Sequence, residues 1–339
     1  MEKLQEISFA LILALQQMSP ALDGVMNFFT FLGNIEFYLI IIPLIYWSVD
    51  KRLGYRLLLV LITIYSISST LKLLFHQPRP YWLGNVRGLG AETSYGIPSS
   101  HASGSFAVWG YLAYWLNKRW LWMLVSVFIF FIALSRLYLG VHFLQDIVFG
   151  WLLGFIALWL FIKYEDRVTA WADQKSIFTQ IALGFVISIL MIVIGKSIQA
   201  WLSGISDPPE WRSFATQART PTYTFTLAGS LFGAVAGYGL MKRYAPFENK
   251  GTWLQQLGRY GIGVILLLVL YSGLDVLFSM IAGDETTLGY ALRYLRYASV
   301  TFLVTFIIPW IFLKIKLARR EVDEFGDRIV KATISEQKV

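Results

Sequence analysis

The stretch Phe37-Tyr-Leu-Ile-Ile-Ile-Pro-Leu-Ile-Tyr-Trp47 contains no charged residue, and a second such run, LWMLVSVFIFFIAL, covers 121–134. Continuous apolar runs of this kind are typical of helices that are surrounded by lipid. The strands of a membrane β-barrel would instead alternate apolar and polar residues. The sequence therefore predicts an all-α fold, a polytopic transmembrane helical bundle.

The composition of the chain supports a membrane protein. Of its 339 residues, 56% are hydrophobic and only 15% are charged, against about 25% charged residues in soluble globular domains. These values exclude a disordered chain and most soluble enzymes. The net charge of +8 comes from basic residues between apolar runs, which membrane topology explains better than nucleic-acid binding. Because the chain has no cysteine, disulfides, thiolate nucleophiles and cysteine-ligated zinc are excluded.

The apolar runs divide the chain into predicted spans. A spanning helix needs about 20 largely apolar residues. The predicted spans lie near 24–48, 54–75, 101–117, 120–138, 144–163, 177–200, 223–241, 259–282 and 296–314. The earlier apolar stretch Ile7–Leu15 is too short to span, and we expect an N-terminal interfacial helix there rather than a cleaved signal peptide. The fold prediction is thus about nine spans plus one interfacial helix.

The distribution of basic residues predicts the orientation of these spans. Most of the 29 Lys and Arg residues fall in the loops of one side, which is expected to be cytoplasmic. The C-terminal tail from Lys314 belongs to that side. The loops near 76–100, 139–143, 201–222 and 283–295 then face away from the cytoplasm. In a bacterium this is the outer side of the cell membrane, and in a eukaryote it is the outer side or the lumen of the endoplasmic reticulum.

Three polar clusters lie on this extracytoplasmic side, each at the end of a predicted span. The first is KLLFHQPRP at 72–80, the second is PSSH at 98–101, and the third is SRLYLGVHFLQD at 135–146. All three histidines of the chain fall within these clusters. Charge at these positions is unexpected in an apolar bundle, so the clusters indicate a functional site.

The cations and helix start in these clusters indicate an anion-binding site. Lys72, Arg79 and Arg136 supply positive charge, and an arginine presents a planar fork that matches phosphate oxygens. Ser99 and Ser100 come at a helix start, where unpaired backbone N–H groups and the helix dipole favour a negative ligand. Together they predict a phosphate-binding site.

The remaining residues of the clusters indicate nucleophilic catalysis by histidine. At a spacing of four on a helix, Asp146 can accept the Nδ1 proton of His142 and leave Nε2 as a nucleophile. His101 is a second imidazole that, when protonated, can donate a proton to a leaving alkoxide.

In their order and spacing the three clusters resemble the motifs of the type 2 phosphatidic acid phosphatase superfamily, which also contains vanadium haloperoxidases. The middle motif of that family is usually Pro-Ser-Gly-His, whereas Ser100 stands here in place of glycine. The segment from Phe31 to Trp47 looks most like the sphingosine-1-phosphate phosphatase branch. By motif, undecaprenyl diphosphate and phosphatidylglycerophosphate phosphatases are also close relatives.

This resemblance implies an integral membrane enzyme that hydrolyses a lipid phosphate monoester or diphosphate through a phosphohistidine, with no metal and no cofactor. It implies that His142 is the nucleophile, Asp146 its orienting partner and His101 the acid. The implied phosphate-binding residues are Lys72, Arg79, Ser99, Ser100 and Arg136. The expected partners are the lipid phosphate substrate and membrane lipids, and no nucleic acid.

Other functions remain open at this stage. The same phosphohistidine suits a lipid phosphotransferase, and undecaprenyl diphosphate hydrolysis is an alternative specific activity. Glu36 and Asp275 lie within or near predicted spans, where a carboxylate suggests either a functional site or a buried pair. They are the sequence feature that favours a transporter or a non-catalytic lipid-binding protein.

The predicted division of the chain places a catalytic core at 1–167, additional transmembrane helices at 168–316 and a cytoplasmic tail at 317–339. The outer loops of the second half are expected to shape lipid access. We expect Arg87 and Glu92 to be solvated and His76 to be an interfacial residue of the site loop. Gly229, Gly233 and Gly237 predict close helix packing within the chain, rather than dimerisation.

Overall fold

The computed structural model describes residues 2–321, which are mostly helical and contain no β-strand. The C-terminal part of the predicted tail, 322–339, lies outside the described residues. The helices are α1 Glu2–Gln16, α2 Asp23–Phe31, α3 Ile35–Leu44, α4 Lys51–Phe75, α5 Ser100–Leu116, α6 Arg119–Tyr138, α7 Leu144–Asp173, α8 Ile177–Leu202, α9 Arg212–Ala218, α10 Thr222–Tyr244, α11 Trp253–Ile281, α12 Thr287–Phe302 and α13 Ile308–Lys314. The predicted all-α fold is confirmed.

Seven helical segments of the described chain are long and apolar enough to cross a membrane, and a bent pair, α2 with α3, raises this to eight. A ninth predicted span, 101–117, corresponds to α5, which has only 17 residues. The count of nine therefore stays a prediction. The first helix, α1, packs against α6 and α7, and its Ser8 Oγ accepts a hydrogen bond from Leu144 N at 3.1 Å. Its interfacial position also stays a prediction.

The first predicted span is broken. Helices α2 and α3 meet at an angle of 52° around Gly33 and Asn34. A Cβ atom on Gly33 would lie 2.8 Å from the side chain of Ile132 and 3.1 Å from that of His101. Glycine is therefore required by the close approach of the break to α5 and α6. The hydroxyl of Tyr65 on α4 donates to the carbonyl of Gly33 at 3.0 Å, which fixes the break.

Helix α5 is the centre of the first half and packs against α4, α6 and α7. Gly150 and Gly154 of α7 face α5 so closely that a Cβ atom on either would lie 2.7 Å from an α5 backbone oxygen. Ile64, Tyr111 and Leu158 are buried together in the core between these helices. This packing brings the start of α5, the end of α6 and the start of α7 to one end of the bundle.

The second half packs against the first through α10, which contacts α4 and α8 as well as α12. Cβ atoms on Gly229 and Gly233 would collide with the backbone of Tyr294 and Ala298 on α12, and one on Gly237 would collide with the side chain of Thr305, just after α12. The prediction that these glycines serve packing within the chain is confirmed. The two halves of the chain thus form a continuous bundle.

Candidate active site

The two cations of the first motif hold the loop that follows α4. Lys72 is buried in the last turn of α4, and its Nζ donates to the carbonyls of Tyr95 at 2.6 Å and Gly96 at 2.9 Å. Arg79 donates through Nε to Ser94 O at 2.6 Å and through Nη1 to Val141 O at 2.8 Å. Both cations therefore order the loop besides supplying charge.

The third motif brings the nucleophile candidate and its carboxylate together. His142 Nδ1 lies 3.1 Å from Asp146 Oδ2, and both side chains are buried. The spacing of four predicts that this pair lies on one helix, but α7 begins at Leu144 and His142 precedes it. The contact forms across the helix start, where Asp146 Oδ2 also accepts from Phe143 N at 3.0 Å. The pairing is as predicted, and its local geometry is corrected.

The second nitrogen of His142 faces the cations. Its Nε2 lies 3.1 Å from Arg79 Nη1, so the lone pair of Nε2 accepts a hydrogen bond from the guanidinium. Burial lowers the pKa of His142 well below its ordinary value, and the charges of Arg79, Lys72 and Arg136 lower it further. The imidazole is therefore neutral, as a nucleophile must be.

The middle motif contributes two residues to the pocket and one to its support. Ser99 is the N-cap of α5, its Oγ accepts from Ala102 N at 3.4 Å, and its N–H donates to Asp146 O at 3.0 Å. Its polar groups are thus used within the protein. Ser100 and His101 line the pocket instead. Ser99 supports the predicted phosphate site from behind rather than lining it.

The motifs surround one cavity of about 370 Å³, a volume typical of a small-ligand site. The predicted site residues in its lining are Lys72, Arg79, Ser100, His101, Arg136 and His142. Asp146 and Ser99 lie behind this lining. Arg136 Nε is buried and has no hydrogen-bond acceptor within residues 2–321.

Glu92 is a pocket residue that the sequence reasoning missed. It was expected to be solvated, but its carboxylate forms an ion pair with Arg136, and its Oε2 lies 3.6 Å from Arg79 Nη2. Burial would raise the pKa of Glu92, but the charges of Arg136 and Arg79 outweigh this effect and lower it to about 2. The carboxylate of Glu92 therefore contacts Arg136 and Arg79, two of the cations that were predicted to bind phosphate. Arg87, by contrast, is exposed, as expected.

The broken span also reaches the pocket. The hydroxyl of Thr30 lies 2.7 Å from that of Ser135 and accepts a hydrogen bond from Arg136 Nη1 at 3.4 Å. Asn34 Oδ1 lies 2.6 Å from His101 Nε2. Three motif residues are thus contacted by the α2–α3 region, which no motif includes.

The second half of the chain forms one wall of the pocket. Its residues are Ala218 at the end of α9, Thr220 after it, and Tyr223, Thr224 and Leu227 on α10. The segment 202–221, which includes the first two of these residues, covers the loop of the first motif. Trp211 of this segment is buried against Trp82 and Tyr95. Residues outside the predicted catalytic core therefore belong to the site.

The remaining candidates differ in their positions. Glu36 lines the pocket at the start of α3 and is exposed. Asp275 forms an ion pair with Arg296, which accounts for its charge near the end of a span. His76 ends α4 in a left-handed conformation and lies outside the pocket lining.

Comparison with known proteins gives matches over both halves. A family described as the PAP2 superfamily matches residues 53–170, and the PAP2 superfamily phosphatase transmembrane extension matches 225–320. Sphingosine-1-phosphate phosphatase 1 of Rattus norvegicus is 23% identical, over 84% of this chain and 70% of that protein. Phosphatidylglycerophosphatase B of Bacillus subtilis is 28% identical, over 48% of this chain and 84% of that protein. The crystal structure of a PAP2-type phosphatidylglycerolphosphate phosphatase from Bacillus subtilis aligns with 26% identity and a TM-score of 0.44, covering 50% of this chain and 89% of that one.

Proposed function

Because this chain belongs to the PAP2 superfamily of phosphatases, we propose that it hydrolyses a lipid phosphate monoester or diphosphate through a phosphohistidine at His142, without a metal. The observation that carries the proposal is the state of His142. Its Nδ1 proton is directed to Asp146, while its Nε2 lies in a pocket with Arg79. A neutral, oriented imidazole beside phosphate-binding cations is the arrangement that phosphoryl transfer to histidine needs.

In the first step, Nε2 of His142 attacks the phosphorus atom and the bond from phosphorus to the lipid oxygen breaks. Protonated His101 donates its proton to the departing alkoxide, so the lipid leaves as a neutral alcohol. Asp146 stabilises the positive charge that develops on the His142 ring. Lys72, Arg79 and Arg136 bind the phosphoryl oxygens, whose charge is spread over equatorial positions in the transition state.

In the second step, water attacks the phosphohistidine and the bond from phosphorus to Nε2 breaks. His101, now neutral, accepts a proton from this water and returns to its starting form. Inorganic phosphate leaves, and His142 is again neutral. The net reaction consumes one water and yields the lipid alcohol and phosphate. Ser100 contributes to phosphate binding at the start of α5, and Ser99 holds that helix start in place.

The lipid part of the substrate is supported by the pocket wall and by the relatives. Leu73, Tyr223 and Leu227 add apolar surface beside the cations, which suits a ligand with a charged head and an apolar chain. The names of the relatives include sphingosine-1-phosphate, lipid phosphate and phosphatidylglycerophosphate phosphatases. We propose a lipid phosphate of this general class as the substrate.

The proposed membrane placement follows from the positive-inside rule. With nine spans and an interfacial α1, the pocket faces away from the cytoplasm and the C-terminus faces it. Residues 1–167 then carry the catalytic groups, and 168–316 add helices that shape one wall of the pocket. Accessibility labelling of single cysteines introduced at Asn85 and Asn117, in a chain that has no cysteine of its own, tests this orientation.

The decisive experiment is phosphate release by purified protein in the presence of EDTA. The substrates are sphingosine-1-phosphate, phosphatidic acid, phosphatidylglycerophosphate and undecaprenyl diphosphate. His142→Ala is compared with His76→Asn, a histidine variant outside the pocket that keeps a residue able to adopt the left-handed conformation of that position. We expect the wild type and His76→Asn to release phosphate, and His142→Ala to release none.

Three results would contradict the proposal. Equal activity of His142→Ala and wild type would exclude a phosphohistidine at this position. Transfer of labelled phosphate to an added lipid alcohol or sugar, without release to water, would instead identify a phosphotransferase. Binding or transport of the lipid that survives His142→Ala would indicate a non-catalytic role.

A further inference from the structure

The break between α2 and α3 precedes residue 53, the first residue of the PAP2 match. The chain passes from Phe31 to Ile35 at this break and there approaches the start of α5. A hydrogen-bond partner of the proposed acid comes from this segment. Asn34 Oδ1 lies 2.6 Å from His101 Nε2.

The position of Asn34 in its own helix makes this contact informative. Asn34 is the N-cap of α3, where an asparagine side chain usually accepts a hydrogen bond from the first backbone N–H groups of the helix. Here the side chain makes no such capping bond. Its oxygen is directed to His101 instead. The amide is thus used for the pocket and not for the helix that it begins.

We propose that Asn34 is a positioning residue that holds the Nε2–H of His101, so that Nδ1 is the nitrogen that transfers the proton to and from the reacting oxygen. An amide oxygen can only accept a hydrogen bond, so the imidazole must donate from Nε2. This contact fixes both the tautomer and the ring orientation of His101. The inference rests on the proposed function, in which His101 is the acid.

The break is held in place from two sides, so Asn34 has a fixed position. Tyr65 of α4 donates to the Gly33 carbonyl at 3.0 Å. Thr30, one helical turn earlier, is hydrogen-bonded to Ser135 of α6 at 2.7 Å. A group that orients a catalytic imidazole must itself be held rigidly, and these contacts satisfy that requirement.

The choice of an amide suits a residue that must act as both acid and base. An amide oxygen accepts a hydrogen bond from neutral imidazole and from imidazolium alike, whereas a carboxylate favours the charged form. The ring of His142 becomes positively charged only when its Nε2 bonds to phosphorus, and it is paired with the carboxylate of Asp146, which stabilises that charge. The two imidazoles of the site therefore have partners of different charge that match their different roles.

The titration of His101 also depends on the charges around it. The charged groups and the imidazole that act on it from α4, α6 and the intervening loops are Lys72, Arg79, Glu92, Arg136 and His142, and the pocket also contains Glu36 of α3, Tyr65 of α4 and Tyr223 of α10. A variant of Asn34 changes none of these groups. A change in the pH profile on substitution of Asn34 therefore reports on the contact with His101.

The test compares two substrates that differ in their need for a proton. Phosphatidic acid releases an alkoxide that must be protonated, whereas p-nitrophenyl phosphate releases a stable phenolate that leaves without one. We expect Asn34→Ala to lower kcat/KM for phosphatidic acid by roughly 100-fold, the lower range for general acid catalysis, and to change that for p-nitrophenyl phosphate by less than about threefold. Asn85→Ala, an exposed asparagine in the loop after the first motif, is the matched control.

A second variant separates positioning from a structural role. In Asn34→Asp the carboxylate still accepts from Nε2, so we expect activity on phosphatidic acid to recover. We also expect the alkaline limb of its kcat/KM profile to move to higher pH, because a carboxylate holds the imidazolium proton more tightly than an amide does. This profile decides the question if Asn34→Ala does not fold.

The outcomes distinguish the inference from the function on which it rests. Equal losses for both substrates in folded Asn34→Ala, or an unshifted profile in Asn34→Asp, would overturn the role of Asn34 while leaving the phosphatase intact. Absence of phosphate release by the wild type from p-nitrophenyl phosphate and from all four lipid substrates would overturn the proposed function itself, and the inference with it.

Discussion

The carboxylate of Glu92 is ion-paired with the guanidinium of Arg136 inside the catalytic pocket, and its second oxygen is 3.6 Å from Arg79 Nη2. Both arginines bind phosphoryl oxygens in the proposed mechanism. The free enzyme therefore holds an internal anion on the groups that the substrate must occupy. Phosphate binding requires that Glu92 exchange these contacts for others or for water.

This competition predicts tighter binding of inorganic phosphate when the carboxylate is removed. In Glu92→Gln we expect the inhibition constant for orthophosphate to fall by about tenfold, which corresponds to about 1.4 kcal/mol. That is close to the lower end of the value of a hydrogen bond to a charged group, about 1.5 kcal/mol. Product-inhibition kinetics measure it, with the exposed Glu285→Gln as the control. An unchanged or higher constant would mean that Glu92 assists phosphate binding.

The pKa of Glu92 adds a pH dependence to the same prediction. Because Arg136 and Arg79 outweigh burial and lower this pKa to about 2, the carboxylate stays charged throughout the neutral and mildly acidic range. The ratio of the two inhibition constants, wild type over Glu92→Gln, should therefore be constant between about pH 5 and pH 8. A ratio that collapses toward one at pH 5 would show that Glu92 is already protonated there.

The neutral state of His142 predicts the acid limb of the activity profile. Burial and the charges of Arg79 and Lys72 lower the pKa of His142, and the nucleophile is active only when neutral. The acid limb of the kcat/KM profile, which reports protonation of His142, should then lie at a lower pH than the titration of an ordinary imidazole. Profiles of kcat/KM in the wild type measure it, after correction for ionisation of the substrate phosphate.

A variant that removes one of the cations near His142 tests whether His142 sets the acid limb. In Arg79→Ala the largest cationic contribution to the shift is lost, so the acid limb should move toward higher pH while activity falls. If the limb stays where it is in the wild type, a group other than His142 sets it.

The contact between His142 and Asp146 predicts a large loss in Asp146→Asn. The amide still accepts from Phe143 N, which preserves the start of α7, but it offers the imidazole no charge and favours the wrong tautomer. Loss of the corresponding carboxylate in a serine protease triad lowers kcat by about 10⁴, and we expect a loss of similar order. Asp166→Asn, whose side chain is 87% exposed, is the matched control. A loss below tenfold in folded protein would contradict the orienting role.

The helices and the motif residues of this protein were predictable because their signals are local. A long apolar run predicts a spanning helix without knowledge of its neighbours, and the spacing of four between His142 and Asp146 predicts that the two side chains meet. Even here one detail needed the structure. The contact of His142 with Asp146 forms before α7 begins, a boundary that periodicity alone does not locate.

Glu92 and Asn34 were not predictable as site residues because their roles depend on tertiary contacts. Glu92 is in a loop whose path is set by hydrogen bonds from Lys72 and Arg79 to its carbonyls. Asn34 follows Gly33 within a largely apolar stretch, a pair typical of a break, but only the close approach of this break to α5 and α6 directs its side chain to His101. The wall at 218–227 also depends on how the second half packs.

The final prediction concerns Trp211, which lies shortly before that wall in the chain. This side chain is 7% exposed and packs on Trp82 and Tyr95, whose carbonyl accepts from Lys72 and Arg79. Replacement of a buried aromatic side chain by alanine costs about 3–5 kcal/mol. In Trp211→Ala we therefore expect a lower midpoint of thermal unfolding.

The same loss of support should reach the chemistry, because the loop that Trp211 covers carries the acceptors of two phosphate-binding cations. We expect a higher KM in Trp211→Ala than in Trp253→Ala, a substitution of a tryptophan that is 70% exposed. Thermal unfolding in detergent and Michaelis kinetics on phosphatidic acid check both effects. If the two variants behave alike, the loop of the first motif is held by the first half alone, and the second half serves the pocket through the wall residues at 218–227.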